Sequence, residues 1–279
     1  MHGLAETAEW YGQRDPRESG NGSEYPVALT LADLPKNGHS PRIVFSEACY
    51  GGYILDKEEN TSLALRFLSI GTRAVVASTG IAYGAVSPPL VGADLLANLF
   101  WKAIAEGYSA GDALVQAKIG MAREMNRRQG FLDGEDQKTL ISFVLYGDPL
   151  AYADLPSSKP KKFVRTRTHW EIKTVSDHSN GDGEVNPGYE DLVQQAKKTV
   201  EAYLPGADLA EIRYRLQKIG HDPNESPEKS GSGYGGSTMT NRKVVIFQRK
   251  IFFGGHTHIH YARVTMNSEG KLLKMSVSR

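Results

Sequence analysis

The chain has 279 residues, 40% of them hydrophobic and 23% charged, with a formal net charge of +1, a globular composition long enough for one sizeable core or two smaller ones. No run approaches the roughly 18 apolar residues of a membrane helix, and the first residues lack the basic-then-apolar layout of a secretory signal. A single cysteine, Cys49, excludes an internal disulfide and cannot by itself build a zinc or iron–sulfur site.

Residues 1–155 carry 13 Lys+Arg against 19 Asp+Glu, net −6, and the remainder carries 20 against 13, net +7. Opposite signs fit two domains. A solvated basic surface is the simpler account of the second half, a polyanion partner the competing one; nucleic acid and membrane are not expected.

In chain order, Pro41 to Ser46 reads as a short buried strand and Asn60 to Ile70 as a helix stopped at Gly71. Arg73 to Ser78 is the next strand. Leu90 to Glu106 and Ala110 to Arg128 read as helices, the second with Leu114, Ala117, Met121 and Met125 on one face and a Ser109/Asp112 capping box. Leu140 to Tyr146 is a strand closed by Gly147-Asp148-Pro149. Apolar runs alternating with helical stretches predict an α/β domain with a mainly parallel sheet over residues 1–155.

Residues 156–162, with two prolines and several small or charged residues, have linker chemistry. Beyond them a small basic α+β domain is predicted over 163–279: a strand from Phe163 to Val175, an amphipathic helix from Tyr189 to Leu204 and a second helix from Ala207 to Ile219. A polar Gly/Ser/Pro-rich loop over residues 221–240 follows, then a meander of Val244–Phe253, His256–Met266, a turn at Asn267–Gly270, and Leu272–Val277.

The chemistry concentrates at Ser46-Glu47-Ala48-Cys49-Tyr50-Gly51-Gly52, where a buried strand gives way to a turn. The carboxyl end of a parallel strand faces the crevice where such sheets bind ligands. A thiol nucleophile also needs a base or proton donor, and His2-Gly3 supplies one 47 residues upstream. Two other motifs read as structure. Asp148 before Pro149 is a turn-former, and His256-Thr257-His258-Ile259-His260, which could chelate a metal from alternate strand positions, lacks a fourth ligand and reads as a solvated strand face. The glycines over residues 231–236 lack the Lys-Ser/Thr of a phosphate loop.

Met1-His2-Gly3 followed by Ile43 to Gly51 resembles the caspase–hemoglobinase superfamily (clan CD) of cysteine peptidases, in which an apolar strand ends in His-Gly and a later one in Ala-Cys-x-Gly; the separation is close to that of caspases. Glu47-Ala48-Cys49 looks like legumain, and Phe143 to Pro149 looks like the gingipain and CHAT branch. Over residues 1–150 the resemblance implies a caspase-like α/β/α sandwich. It also implies a cysteine endopeptidase with Cys49 as nucleophile, His2 as its partner, an oxyanion hole of the Gly3 and Cys49 N–H groups, and substrate contacts from Glu47, Ser78, Thr79 and Tyr83. Glu47 has a competing role as the partner of a surface arginine. The resemblance implies a peptide or protein substrate and no required cofactor, with calcium allowed as in gingipains.

The strand that should deliver His2, and two before it, are absent from the sequence. The chain therefore reads as the C-terminal portion of a longer protein, with the missing N-terminal segment as a partner, an unpaired sheet edge and a disordered His2 in isolation. Its compartment stays open, secreted or cell-envelope included. The competing functions are an inactive caspase-fold interaction module and partner or polyanion binding through the C-terminal domain.

Overall fold

A computed structural model describes residues 2–14, 23–34, 40–85, 88–153, 161, 190–201, 210–219 and 240–278. The strand expected over 163–175, the loop over 221–240 and all of the 156–162 linker but Lys161 lie outside the described residues. The chain divides into two units, one of residues 1–176 with 250–260 and 276–279, the other of 177–249 and 261–275.

The first unit begins with a small antiparallel sheet of β1 (His2–Gly3), β2 (Glu9–Tyr11) and β3 (Val27–Thr30), in that order. Its second sheet is built from β4 (Ile43–Ser46), β5 (Ala74–Ser78) and β7 (Phe143–Gly147), with α1 (Leu63–Ser69) linking the first two. β4 and β5 are parallel, as expected, but β7 runs antiparallel to β5. The sheet is therefore mixed rather than mainly parallel, and His2 belongs to a different sheet from the one that carries Cys49.

Alternation along β5 explains how this sheet is covered on both faces. Ala74 and Val76 join Ile43 and Phe143 in a core closed by α2 (Gly92–Ala105) and α3 (Ala110–Gln129), where Phe100, Leu96, Met121 and Met125 are buried. Val75 and Ala77 face the other way, with Val44, Trp10 and, from α1, Leu63, Ala64 and Phe67. The predicted apolar face of α3 is the buried one, and its Ser109 accepts the Asp112 N–H at 3.3 Å.

A further helix, α4 (Gly134–Ser142), occupies a stretch with no predicted element and takes Leu140 to Ser142 from the expected strand. Its start is fixed by a capping box in which Asp133 accepts the N–H of Asp136 and the Asp136 carboxylate accepts the N–H of Asp133. After β5, the short strand β6 (Tyr83–Ala85) pairs antiparallel with Ser276–Ser278. Ser276 donates its hydroxyl to the buried Glu135 of α4 at 2.6 Å.

In the second unit, α5 (Glu190–Glu201) buries Val193, Ala196 and Val200, close to the predicted face. The expected helix at 207–219 is instead β8 (Glu211–Ile219), paired antiparallel over nine residues with β9 (Thr240–Phe253). The predicted meander continues through β10 (His256–Met266), a turn closed by the Gly270 N–H on the Asn267 carbonyl at 3.1 Å, and β11 (Leu272–Ser278). Strands β9, β10 and β11 each contribute residues to both units.

Phe100 is fully buried at the centre of the larger core. Phe100→Ala is expected to lower unfolding stability by about 3–5 kcal/mol, read from urea denaturation of the full chain; a loss below about 1 kcal/mol would contradict this packing.

Candidate active site

β4 ends at Ser46, and the next residues turn sharply rather than run on. The N–H of Gly51 donates to the Ala48 carbonyl at 3.1 Å and that of Tyr53 to the Tyr50 carbonyl at 2.9 Å. Tyr50, next to Cys49, is held at φ +54°, a left-handed conformation that is unusual for a bulky residue. Two bonds to the exit of β5 hold it there, from the Tyr50 N–H to Gly80 at 2.8 Å and from the Gly52 N–H to Ser78 at 2.8 Å.

This turn presents Cys49 as a buried thiol, 5% exposed. The Ala82 N–H donates to its sulfur at 3.3 Å, a donor placed to stabilise negative charge there, and the thiol sits 3.5 Å from the Ala82 carbonyl. Gly3 lies directly against the same segment. A Cβ built on Gly3 would sit 2.2 Å from the Cys49 carbonyl oxygen and 3.1 Å from the Ala48 Cβ. Only a residue without a side chain allows that approach. The backbones of Gly3 and Cys49, 46 positions apart in sequence, thus meet.

His2 is 2% exposed. Its Nε2–H donates to the Gln13 Oε1 at 3.1 Å. The ring stacks on His260 at 4.8 Å and 22°, and meets Tyr25 edge-on at 4.9 Å.

A cleft opens beside Gly3 and Cys49, walled by Thr7, Glu9, Tyr53 and Lys57. Glu9 accepts the Tyr11 hydroxyl at 2.6 Å; burial, with this bond second, pushes the Tyr11 phenol up to about 12. Burial holds the Lys57 ammonium below its ordinary value against the opposing charge of Glu6, and the ammonium lies 5.8 Å from the centre of the Tyr53 ring. A cation and an anion thus share one cleft.

The residues expected to line the substrate pocket lie elsewhere. The hydroxyl of Ser78 bonds to that of Ser142 at 3.1 Å, and the Thr79 hydroxyl donates to the Ser142 carbonyl at 3.2 Å, so both fasten β5 to the end of α4. Tyr83 carries the Lys138 ammonium 5.6 Å above its ring, and Glu47 is half-buried. None of these four lines the cleft beside Cys49, and neither does the His2 ring, which packs against Tyr25 and His260.

Sequence reasoning missed Glu9, Gln13, Tyr25, Lys57 and the Ala82 amide. The short apolar runs Trp10-Tyr11 and Val27-Ala28-Leu29 were the signal for β2 and β3, and with them for the polar groups nearby.

Asp148 behaves as a turn-former. It accepts the Leu150 N–H at 2.8 Å and pairs with Arg73 at 2.9 Å, and the Arg73 guanidinium holds its carboxyl below the usual range. Of the alternating histidines, His256 is exposed, His258 half-buried and His260 buried, so the solvated-face expectation fails at His260. Among the described residues no group of three or more His, Cys, Asp or Glu could hold a metal ion. Among them, too, no helix is long and apolar enough to cross a membrane.

Residues 17–152 match the model of Peptidase family C25. The match, to the gingipain family, supports a cysteine peptidase function in general. It includes Cys49 and its flanking turn and begins after His2 and Gly3. Neither a curated protein nor a solved structure matches the chain.

Gly3→Ala forces a methyl group onto the Cys49 carbonyl. The variant is expected to slow alkylation of Cys49 by a peptidyl electrophile about tenfold or more, since the donors and sulfur shift together. Mass spectrometry of the modified cysteine gives the rate, and an unchanged rate would mean that the Gly3 contact does not organise the site.

Proposed function

We propose that the chain acts as a gingipain-like cysteine endopeptidase, with Cys49 as nucleophile and His2 as its proton-transfer partner. The observation that carries this reading is the backbone contact between Gly3 and Cys49 at one cleft. The closeness of the residue after the histidine to the residue that bears the thiol supports a shared oxyanion site. The family match over residues 17–152 and the Ala82 N–H aimed at sulfur support it.

In this reading the Cys49 sulfur attacks the scissile carbonyl carbon, and the carbonyl oxygen becomes an oxyanion held by the N–H groups of Gly3 and Cys49. The C–N bond then breaks as protonated His2 gives its proton to the departing amine, leaving a thioester on Cys49. Water attacks the thioester with His2 taking its proton, and the acid leaves as the thiol is restored. Side chains of the substrate enter between Glu9, Tyr53 and Lys57.

The burial of Cys49 and His2 favours a second reading, an interaction module that keeps the fold without turnover. One experiment separates the two. With an electrophilic peptidyl probe, Cys49 of the full chain is expected to react faster than a model thiol. His2→Ala should slow that reaction about 100-fold or more, and Cys49→Ala should abolish both labelling and peptide hydrolysis. Labelling no faster than the model thiol, with no hydrolysis, would establish the module instead.

A further inference from the structure

We infer that His260 is a positioning residue for His2, supplied to the site by the hairpin of β9 and β10; the inference rests on the His2–Cys49 reading above. His260 is 5% exposed on a strand whose neighbouring histidines are more open. Its ring covers one face of the His2 ring at 4.8 Å, nearly parallel. Tyr25 fixes His260 in turn, with its hydroxyl 3.2 Å from Nδ1, and stands edge-on to both rings, at 4.9 Å from His2 and 5.0 Å from His260.

An imidazole rotates broadly about its last side-chain torsion. Gln13 accepts a hydrogen bond from the His2 Nε2–H, and contacts on the ring itself act on its tilt. The His260 face and the Tyr25 edge meet the ring from two directions and hold its orientation. Placement of this kind counts in catalysis because a displacement near 1 Å can cost about 100-fold in rate.

The hairpin is itself seated by a separate contact. Gly254 and Gly255 turn it with φ of +60° and +79°, the signs a two-residue I′ turn requires. A Cβ on Gly254 would lie 2.2 Å from the Tyr11 hydroxyl oxygen and 3.0 Å from a Leu4 methyl carbon, so the tip rests on β2 and on the residue after β1. Ile251 completes a small apolar cluster with Leu4, Tyr11 and Tyr25. A histidine that merely filled space would need neither the bond from Tyr25 nor the parallel stack.

The test uses the full chain, a fluorogenic peptide substrate, and active sites counted with the electrophilic peptidyl probe, so that kcat refers to folded enzyme. His260→Ala is expected to lower kcat about tenfold or more with KM within about twofold, and His260→Phe, which restores a ring face, to recover most of the loss. If His260→Ala does not fold, His260→Gln takes its place with the same expected loss. Wild-type kcat per counted site in the variants that lack the ring, or no recovery in His260→Phe, overturns the role of His260 and leaves the dyad standing. No turnover and no labelling of Cys49 in the wild-type chain overturns the dyad and this inference together.

Discussion

The candidate site depends on one missing side chain. At Gly3 the backbone of β1 comes so close to the Cys49 carbonyl that even a methyl group would overlap it. β1 does not reach Cys49 as the next strand of the β4-β5-β7 sheet; it belongs to a separate antiparallel sheet, and the two meet where Gly3 crosses the turn after β4. His2 is covalently bound to Gly3, so this approach also limits where the imidazole can lie. The cleft walls follow from the same arrangement, with Thr7 and Glu9 coming from the chain that leads into and through β2, and Tyr53 and Lys57 from the segment beyond the turn.

What the amino-acid sequence made legible was whatever rests on local periodicity. The strand at Ile43–Ser46, the strand at Ala74–Ser78 and the face of α3 all come from apolar spacing that matches one period. The failures have separate causes. In α4 the stabilising features are polar, since Asp133 and Asp136 cap each other and Glu135 is buried against Ser276, and a run of Asp-Gly-Glu-Asp reads locally as loop. In β8 the residues Ile212, Tyr214 and Leu216 alternate with period two, but good helix formers among their neighbours favoured the other reading until the long ladder with β9 settled it. β7 follows α4 directly and pairs antiparallel with β5, and strand periodicity carries no information about direction.

The site was legible to the same degree. His-Gly and Ala-Cys-Tyr-Gly marked the groups whose backbones meet, because that chemistry needs particular residue types in order. The cleft walls were not legible. Glu9 and Lys57 have no distinguishing sequence context, and Ser78 and Thr79, which look well placed at the end of β5, are used to fasten that strand to Ser142. His260 was misassigned for a related reason: alternation along β10 says which residues share a face but not what covers that face.

The long-range contacts bear on what must be kept together for the site to work. The first unit includes residues 250–260 and 276–279, although the boundary legible in the sequence lies near residue 155. Ser276–Ser278 occupies the edge of β6, Ser276 satisfies the buried carboxylate of Glu135, and His260 covers the ring of His2. A chain cut after residue 155 would remove the strand paired with β6, the Ser276 hydroxyl that bonds Glu135 and the ring that covers one face of His2. The candidate nucleophile belongs to the first half of the chain, but a residue packed against His2 comes from β10, near its end.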